Sequence, residues 1–144
     1  MDLFEKEDQM NAIALIQLHD GAVDNISFRT GAGCRIVFED VYVYHSAGED
    51  LFEVWTYSAE LLLTGLVETS LFGELTAEDD YIADDDVFGV GGEPLRWEQL
   101  IGGFPVSEVR LFFPAGFRFT ARCQHAEMRL GERLKRHKDW HGPL

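Results

Sequence analysis

Lysine and arginine are missing from the middle of the chain. Residues 36–95 contain fifteen acidic residues and neither basic residue, whereas residues 96–144 contain nine basic and five acidic residues. The chain of 144 residues has a formal net charge of −14. Because phosphate binding needs a cationic face, this distribution argues against nucleic acid as a direct partner. It fits a basic protein partner, or a surface that is charged for solubility alone.

Cysteine is scarce as well, with only Cys34 and Cys123. No Cys-x-x-Cys spacing occurs, which argues against a structural zinc site. Each cysteine stands in an alternating run of apolar residues, a pattern typical of a buried, reduced thiol. A disulfide between the two remains the alternative.

Long apolar runs are absent, and residues 12–16 are far too few to span a bilayer. The first nine residues carry four acids and one lysine. A secretory signal begins with basic residues and a transit peptide avoids acidic ones. We therefore expect no membrane association and a cytoplasmic location.

The length and the 46% hydrophobic content predict a single domain over residues 1–144. A chain of this size buries roughly 70% of the surface that its unfolded form exposes, so folding needs no metal, disulfide or cofactor. The basic, polar tail 132–144 is predicted to be either flexible or helical.

Two segments alternate apolar and polar residues around a glycine-containing turn, as β-hairpins do. The first covers residues 26–38 with its turn at 31–33. The second covers residues 106–123 with its turn at 114–116. Both are therefore predicted as antiparallel strand pairs.

The remaining pattern adds further short elements. Strands are predicted at residues 51–57 and 60–67, and at 12–18, where the end of a helix is the alternative. The second strand of the first hairpin is predicted to continue through residues 41–44, and the last strand of the second hairpin through 126–130. Residues 73–93 are predicted as a long loop, either without a strand or with one short strand near 87–90. A bulge is predicted at Glu39-Asp40. Residues 94–101 predict a short helix, because Pro94 suits a first helical position and Gly102 lies just past the end.

About seven short strands with glycine-containing turns predict a mainly β fold, with α+β at the margin. The architecture is expected to be an antiparallel β-sandwich or barrel with one or two short helices. Strands do not alternate with ten-residue helices, which disfavours a doubly wound parallel sheet. The core is expected to hold Phe38, Trp55, Leu111 and Phe119.

His19-Asp20 is the first candidate for chemistry, because such a pair can ligate a metal or act as acid and base. The further His and Asp residues on helices that metal-dependent phosphohydrolases need are lacking. A turn is therefore favoured, in which Asp20 accepts nearby backbone amides and Gly21 takes a positive φ.

An acidic segment is the second candidate. It is predicted to be one exposed negative face that contacts a basic partner, with a solvated loop as the alternative. Its residues are Glu74, Glu78, Asp79, Asp80, Asp84, Asp85 and Asp86.

Catalytic signatures are missing. There is no Gly-x-Ser-x-Gly and no phosphate-binding Gly-x-x-x-x-Gly-Lys. His137 and His141 would share one face of a helix, but the glutamate of a metalloprotease pattern does not stand between them. The sequence therefore predicts no enzyme and no metal site.

The run Leu18-His19-Asp20-Gly21-Ala22-Val23-Asp24-Asn25-Ile26, followed by the strand pattern of residues 34–44, resembles small bacterial proteins of unassigned function. Some of those proteins are similar to immunity proteins encoded beside bacterial toxins. The resemblance covers about a third of the chain. It implies a small binding protein with no catalytic residues to carry over.

The function expected from these observations is that of a non-enzymatic acidic protein that docks on or inhibits a basic protein surface. A toxin or a nucleic-acid-handling enzyme would be such a partner. The alternative is a β-barrel that binds a small molecule or a metal, with Trp55, Tyr57 and Trp97 lining its cavity.

Calcium is expected to bind weakly or not at all. Read as an EF-hand loop, Asp84 and Asp86 fit the first and third positions, but Phe88 occupies the fifth, where an oxygen ligand is needed. Titration calorimetry should therefore detect no tight site. A dissociation constant in the micromolar range would overturn this expectation.

Overall fold

Two antiparallel β-sheets pack against each other in the structure, a computed structural model that describes residues 13–29 and 33–144. In chain order the strands are β1 Ile13–Arg29, β2 Gly33–Gly48, β3 Leu51–Thr64, β4 Glu68–Phe72, β5 Asp84–Phe88, β6 Phe104–Pro105, β7 Glu108–Phe112, β8 Arg118–Arg122, β9 His125–Arg136 and β10 Trp140–His141. The predicted mainly β fold is confirmed. No closed barrel forms within these residues, so the arrangement is a sandwich.

The first sheet has the strand order β1-β2-β3-β9-β6, and β10 pairs with β3 beside this path. The second sheet has the order β4-β8-β7-β5. Among the described residues, β4 and β5 are therefore the opposite edges of the second sheet.

Both predicted hairpins are confirmed. In the first, Ile26 pairs with Ile36 and Phe28 with Cys34, across β1 and β2. Residues 30–32, which hold most of its predicted turn, lie outside the described residues. In the second, Leu111 pairs with Phe119 across β7 and β8.

The core lies between the sheets. Phe38, Leu111 and Phe119 are at most 1% exposed, as expected. The prediction for Trp55 is wrong, because its ring is only half-buried. One side of the indole packs against the core, and the guanidinium of Arg133 lies 4.3 Å from its centroid.

Bulges interrupt the long strands of the first sheet at a similar level. The register shifts fall between Gln17 and Ala22 in β1, between Phe38 and Val41 in β2, and between Thr56 and Ala59 in β3. The predicted bulge at Glu39-Asp40 is confirmed. An extra residue locally bends and twists a strand, so these bulges change the direction of the sheet along one line.

Two predicted strands are differently bounded. Residues 60–67 are not a separate strand, since β3 runs without a break to Thr64. Residues 126–130 do not extend β8 but belong to β9 in the first sheet. The amide of Gln124 donates to the carbonyl of Thr64, 3.1 Å away, and this bond brings the chain to the edge of β3.

The predicted helix over residues 94–101 is a single 3₁₀ turn, Trp97–Leu100. Its first residues are held extended, because Pro94 bridges to Phe88 and the amide of Leu95 donates to the carbonyl of Val87. No helix within residues 13–29 and 33–144 is long and apolar enough to cross a membrane.

The helical alternative for the tail 132–144 is wrong. β9 continues to Arg136, which pairs with Trp55, and β10 pairs with Phe52 and Leu51. An unpaired edge of β3 would leave backbone groups unsatisfied, and strand pairing of the tail supplies their partners.

Replacing Phe119 with alanine should lower the free energy of unfolding by about 3–5 kcal/mol, because a fully packed phenyl ring is lost from the core. Phe72→Ala is the matched control: its ring is 68% exposed, and the loss should stay within about 1 kcal/mol. Urea denaturation measures both. Equal losses for the two variants would contradict this packing.

Candidate functional site

The His19-Asp20 segment forms a bulge in β1 and not the predicted turn. The strand continues on both sides, and Asp20, not Gly21, takes the positive φ, at 68°. Aspartate tolerates this conformation better than most residues. Gly21 is needed for close approach instead, because a Cβ there would lie 2.7 Å from the carbonyl oxygen of Asp40.

The bulge of β2 faces the bulge of β1. Asp40 accepts the backbone amide of Ala22 through Oδ1, at 2.9 Å. The carboxylate that accepts a backbone amide here is therefore that of Asp40, whereas the prediction assigned this role to Asp20. Oδ1 of Asp20 lies 3.6 Å from Nε2 of His19.

Two tyrosines on β2 adjoin these carboxylates. The pKa of Tyr42 is raised by burial and then by the negative charges of Asp40 and Asp20. The pKa of Tyr44 is raised by burial, by Tyr42 and by Asp20. Asp20 thus lies close enough to both phenols to act on them electrostatically.

The acidic loop is attached to the same bulge by two backbone hydrogen bonds. The amide of Asp20 donates to the carbonyl of Ile82 at 2.9 Å, and the amide of Ile82 donates to the carbonyl of Gly21 at 2.8 Å. The side chain of Ile82 is fully buried. This anchor places Asp80 and Asp84, each two residues from Ile82, beside the bulge.

The seven predicted partner-binding acids do not share one exposed face. Glu74, Glu78, Asp80 and Asp84 are exposed. Asp79 is only 4% exposed, and its Oδ2 accepts the amide and the hydroxyl of Thr76. It therefore closes a local turn instead of facing a partner.

Asp85 and Asp86 lie on β5 and are partly buried. Oδ1 of Asp85 accepts a hydrogen bond of 2.6 Å from Nε1 of Trp97. Asp86 stands opposite Arg110 of β7. A cation from another strand thus adjoins the acidic segment, which the local sequence does not reveal.

Ion pairing separates the remaining acids into two groups. Among the described residues, the ion pairs of arginine lie away from the β1 bulge. Most of them are with glutamates, such as Glu60, Glu98 and Glu127. In residues 13–29 and 33–144, none of Asp20, Asp40, Asp80 and Asp84 pairs with a lysine or arginine. Lysine and arginine side chains therefore leave the charge of these four aspartates uncompensated.

We define the acidic surface as these four aspartates together with Tyr42, Tyr44 and Tyr81. The tyrosines are half-buried or exposed. Asp20 and Asp40 were not among the predicted partner-binding residues. Their signal was present in the sequence, since each stands at an irregularity of a strand pattern.

Two cavities border other parts of the fold. One of about 430 Å³ is lined by Tyr57 and His45, whose side chains are 3.0 Å apart, together with apolar residues such as Met128. Another of about 260 Å³ is lined by Trp97, between β1 and β5. Trp55 lines neither, so the three aromatic residues do not share one cavity.

No group of three His, Cys, Asp or Glu side chains is placed to hold a metal ion within the described part of the chain. His141 lies on β10, and the helical spacing with His137 does not form. Cys34 and Cys123 are buried, free thiols, and burial raises the pKa of each to about 11. Such thiols are poor nucleophiles.

Comparison with protein-family models, curated proteins and solved structures finds no match to this chain. Support for a candidate functional site therefore comes from the geometry of this protein alone.

Replacing Asp85 with asparagine should leave the protein at least as stable as wild type at pH 7. Burial raises the pKa of Asp85, so its ionised form weakens the fold above that pKa, and its contribution improves as the pH falls through it. Asparagine keeps an acceptor for Trp97 without the charge. The advantage of the variant should shrink at low pH in urea denaturation.

Asp85→Ala is the control for this prediction. It leaves the indole N–H of Trp97 without its acceptor and should cost about 1–3 kcal/mol. A large loss for asparagine as well would show that the ionised carboxylate is needed.

Proposed function

We propose that this protein is a non-enzymatic acidic binding protein that docks on or inhibits a basic protein surface in the cytoplasm. Its class would be that of toxin-immunity proteins or phage-type inhibitors. The observation that carries the proposal has two parts. Backbone hydrogen bonds hold the segment of Asp80 and Asp84 against the bulge that carries Asp20, and Asp40 bonds to the same bulge. None of these four aspartates pairs with a lysine or arginine among the described residues.

A surface of this kind acts through long-range electrostatic attraction. Uncompensated carboxylates attract a cationic groove from a distance and raise the rate of encounter. If that groove normally holds nucleic acid, carboxylates take the places of its phosphates. The acidic surface thus suits an inhibitor of a protein that handles nucleic acid.

The tyrosines of the acidic surface add short-range contacts, which charge alone does not provide. Tyrosine offers a large apolar ring and a hydroxyl at low entropic cost, and it is enriched in binding hot spots. Tyr42 is also fixed in place, because its ring packs against His137 with centroids 5.2 Å apart. Aspartates would then steer the partner while Tyr42, Tyr44 and Tyr81 make the lasting contacts.

A second candidate function is the binding of a small molecule in the cavity of about 430 Å³. Its apolar wall and the hydrogen-bonded pair of Tyr57 and His45 suit an apolar compound with one polar group. Such a ligand would be indifferent to the charges around Asp20, which separates the two functions experimentally.

The combined variant Asp20→Asn, Asp80→Asn, Asp84→Asn tests the leading proposal. Asparagine tolerates the positive φ at position 20, so folding should be preserved. A partner captured from cell extract on immobilised wild-type protein at low salt should associate with the variant about tenfold more slowly. Raising the salt should slow the wild type towards the same rate.

A matched control replaces Glu49, Glu93 and Glu132 with glutamine. These residues are exposed and lie outside the acidic surface, and the change in net charge is the same. The control should keep most of the wild-type association rate. Equal rates for the two variants would leave only net charge at work and would sink the proposal.

A further inference from the structure

The strand β4, Glu68–Phe72, is unusual because all five of its residues are exposed. It pairs with β8 alone within the described residues, so its other side carries backbone groups without a strand partner. Phe72 is 68% exposed, Leu71 51%, and Val67, just before the strand, 66%. An apolar edge strand of this kind is a template for pairing with another strand.

The edges formed by β1 and β5 are covered in part by their own chain. On β1, the amide of Ile16 donates to Oε1 of Glu98, and Ile82 bonds to the bulge. On β5, the carbonyl of Val87 accepts the amide of Leu95. No comparable cover lies over β4 among the described residues, and it contains no lysine, arginine or proline that would discourage pairing.

The charge around β4 also differs from the rest of this acidic protein. Glu68 is the only acid on β4 and β8, and these strands carry Arg118 and Arg122. Arg122 pairs with Glu68. Arg118 forms no ion pair within the described residues, and its guanidinium lies over the ring of Phe72, 5.9 Å from the centroid. A cation is thus available close to the open edge.

We propose that β4 pairs with β4 of a second copy of this chain, antiparallel and with Ser70 opposite Ser70. The two second sheets then become one continuous sheet through a twofold axis. This register places Glu68 of one copy beside Phe72 of the other, where Arg118 is already held. Shifting the register by one residue in either direction removes that charge contact.

The same register joins apolar groups on the inner face. Leu71 pairs with Phe119 of β8, so it points to the core side of the sheet although it is half exposed. In the dimer Leu71 comes opposite Thr69 of the other copy, and the two Leu71 side chains lie near the axis. The interface is small, so the dimer is weak.

Raising the salt concentration should strengthen this pairing, whereas it should weaken binding to a basic partner. Each copy has a net charge of −14, and repulsion between copies falls when salt screens it. Because β4 and β5 are opposite edges, the acidic surface stays uncovered in the dimer. The inference does not depend on the proposed function.

Cysteine cross-linking tests the register directly. Ser70→Cys places two thiols across the axis, within the Cα separation that a disulfide needs. The native cysteines are buried and should not compete. Mild oxidation should convert Ser70→Cys to a covalent dimer much faster than Val90→Cys, an exposed position on a loop. Equal rates would overturn the register.

Sedimentation of the unmodified protein supplies the second arm. At about 100 μM and moderate salt, a concentration-dependent dimer should be present and should vanish in Leu71→Lys. Val90→Lys, with the same change of charge, should keep it. A wild-type protein that stays monomeric overturns self-pairing and leaves the edge to a strand of another protein. Circular dichroism checks that each variant is folded.

Discussion

The reciprocal backbone hydrogen bonds between Ile82 and the β1 bulge join the two sheets at the place where the charge is concentrated. They supply partners for the amide of Asp20 and the carbonyl of Gly21. The buried side chain of Ile82 reinforces the contact. Without this anchor the loop that carries Asp80 would have no fixed position relative to Asp20, and the acidic surface would not exist as a unit.

Paired and unpaired charges lie in different parts of this molecule. Arg110 of β7, Arg122 of β8 and Arg129 of β9 each form an ion pair with a glutamate of the same sheet. Asp20 and Asp40 at the bulges pair with no lysine or arginine among the described residues. The core between the sheets is a cluster of buried apolar side chains that both sheets supply. Stability therefore comes from the sandwich interior, whereas the aspartates without such partners lie at its surface.

Features set by near neighbours in sequence could be predicted, and features set by distant ones could not. The hairpins follow from alternation around glycine turns, so Leu111 and Phe119 were assigned to the core from local pattern alone. The inward turn of Asp79 depends on Thr76, only three residues away, and a Thr-x-x-Asp pattern could have signalled it.

The orientation of Asp85 had no such local signal, because its partner Trp97 lies on a segment that tertiary packing brings close. The pairing of the basic tail with β3 joins residues about eighty positions apart. Asp20 and Asp40 were visible as irregularities, but the sequence could not show that the irregularities face each other. The candidate site was thus half predictable: its charge was evident and its assembly was not.

Because of the extra residue at Glu39-Asp40, the number of residues in β2 determines which of its side chains face outward. Before the bulge, Ile36 and Phe38 face the core, and after it Val41 and Val43 do, so the inward phase changes from even to odd numbers. Tyr42 and Tyr44 face outward only because of that change. Homologous chains should therefore tolerate substitutions at the bulge more readily than a change in the number of residues. A single deletion would exchange the tyrosines with the valines, so that the tyrosines would face the core and the valines would face outward.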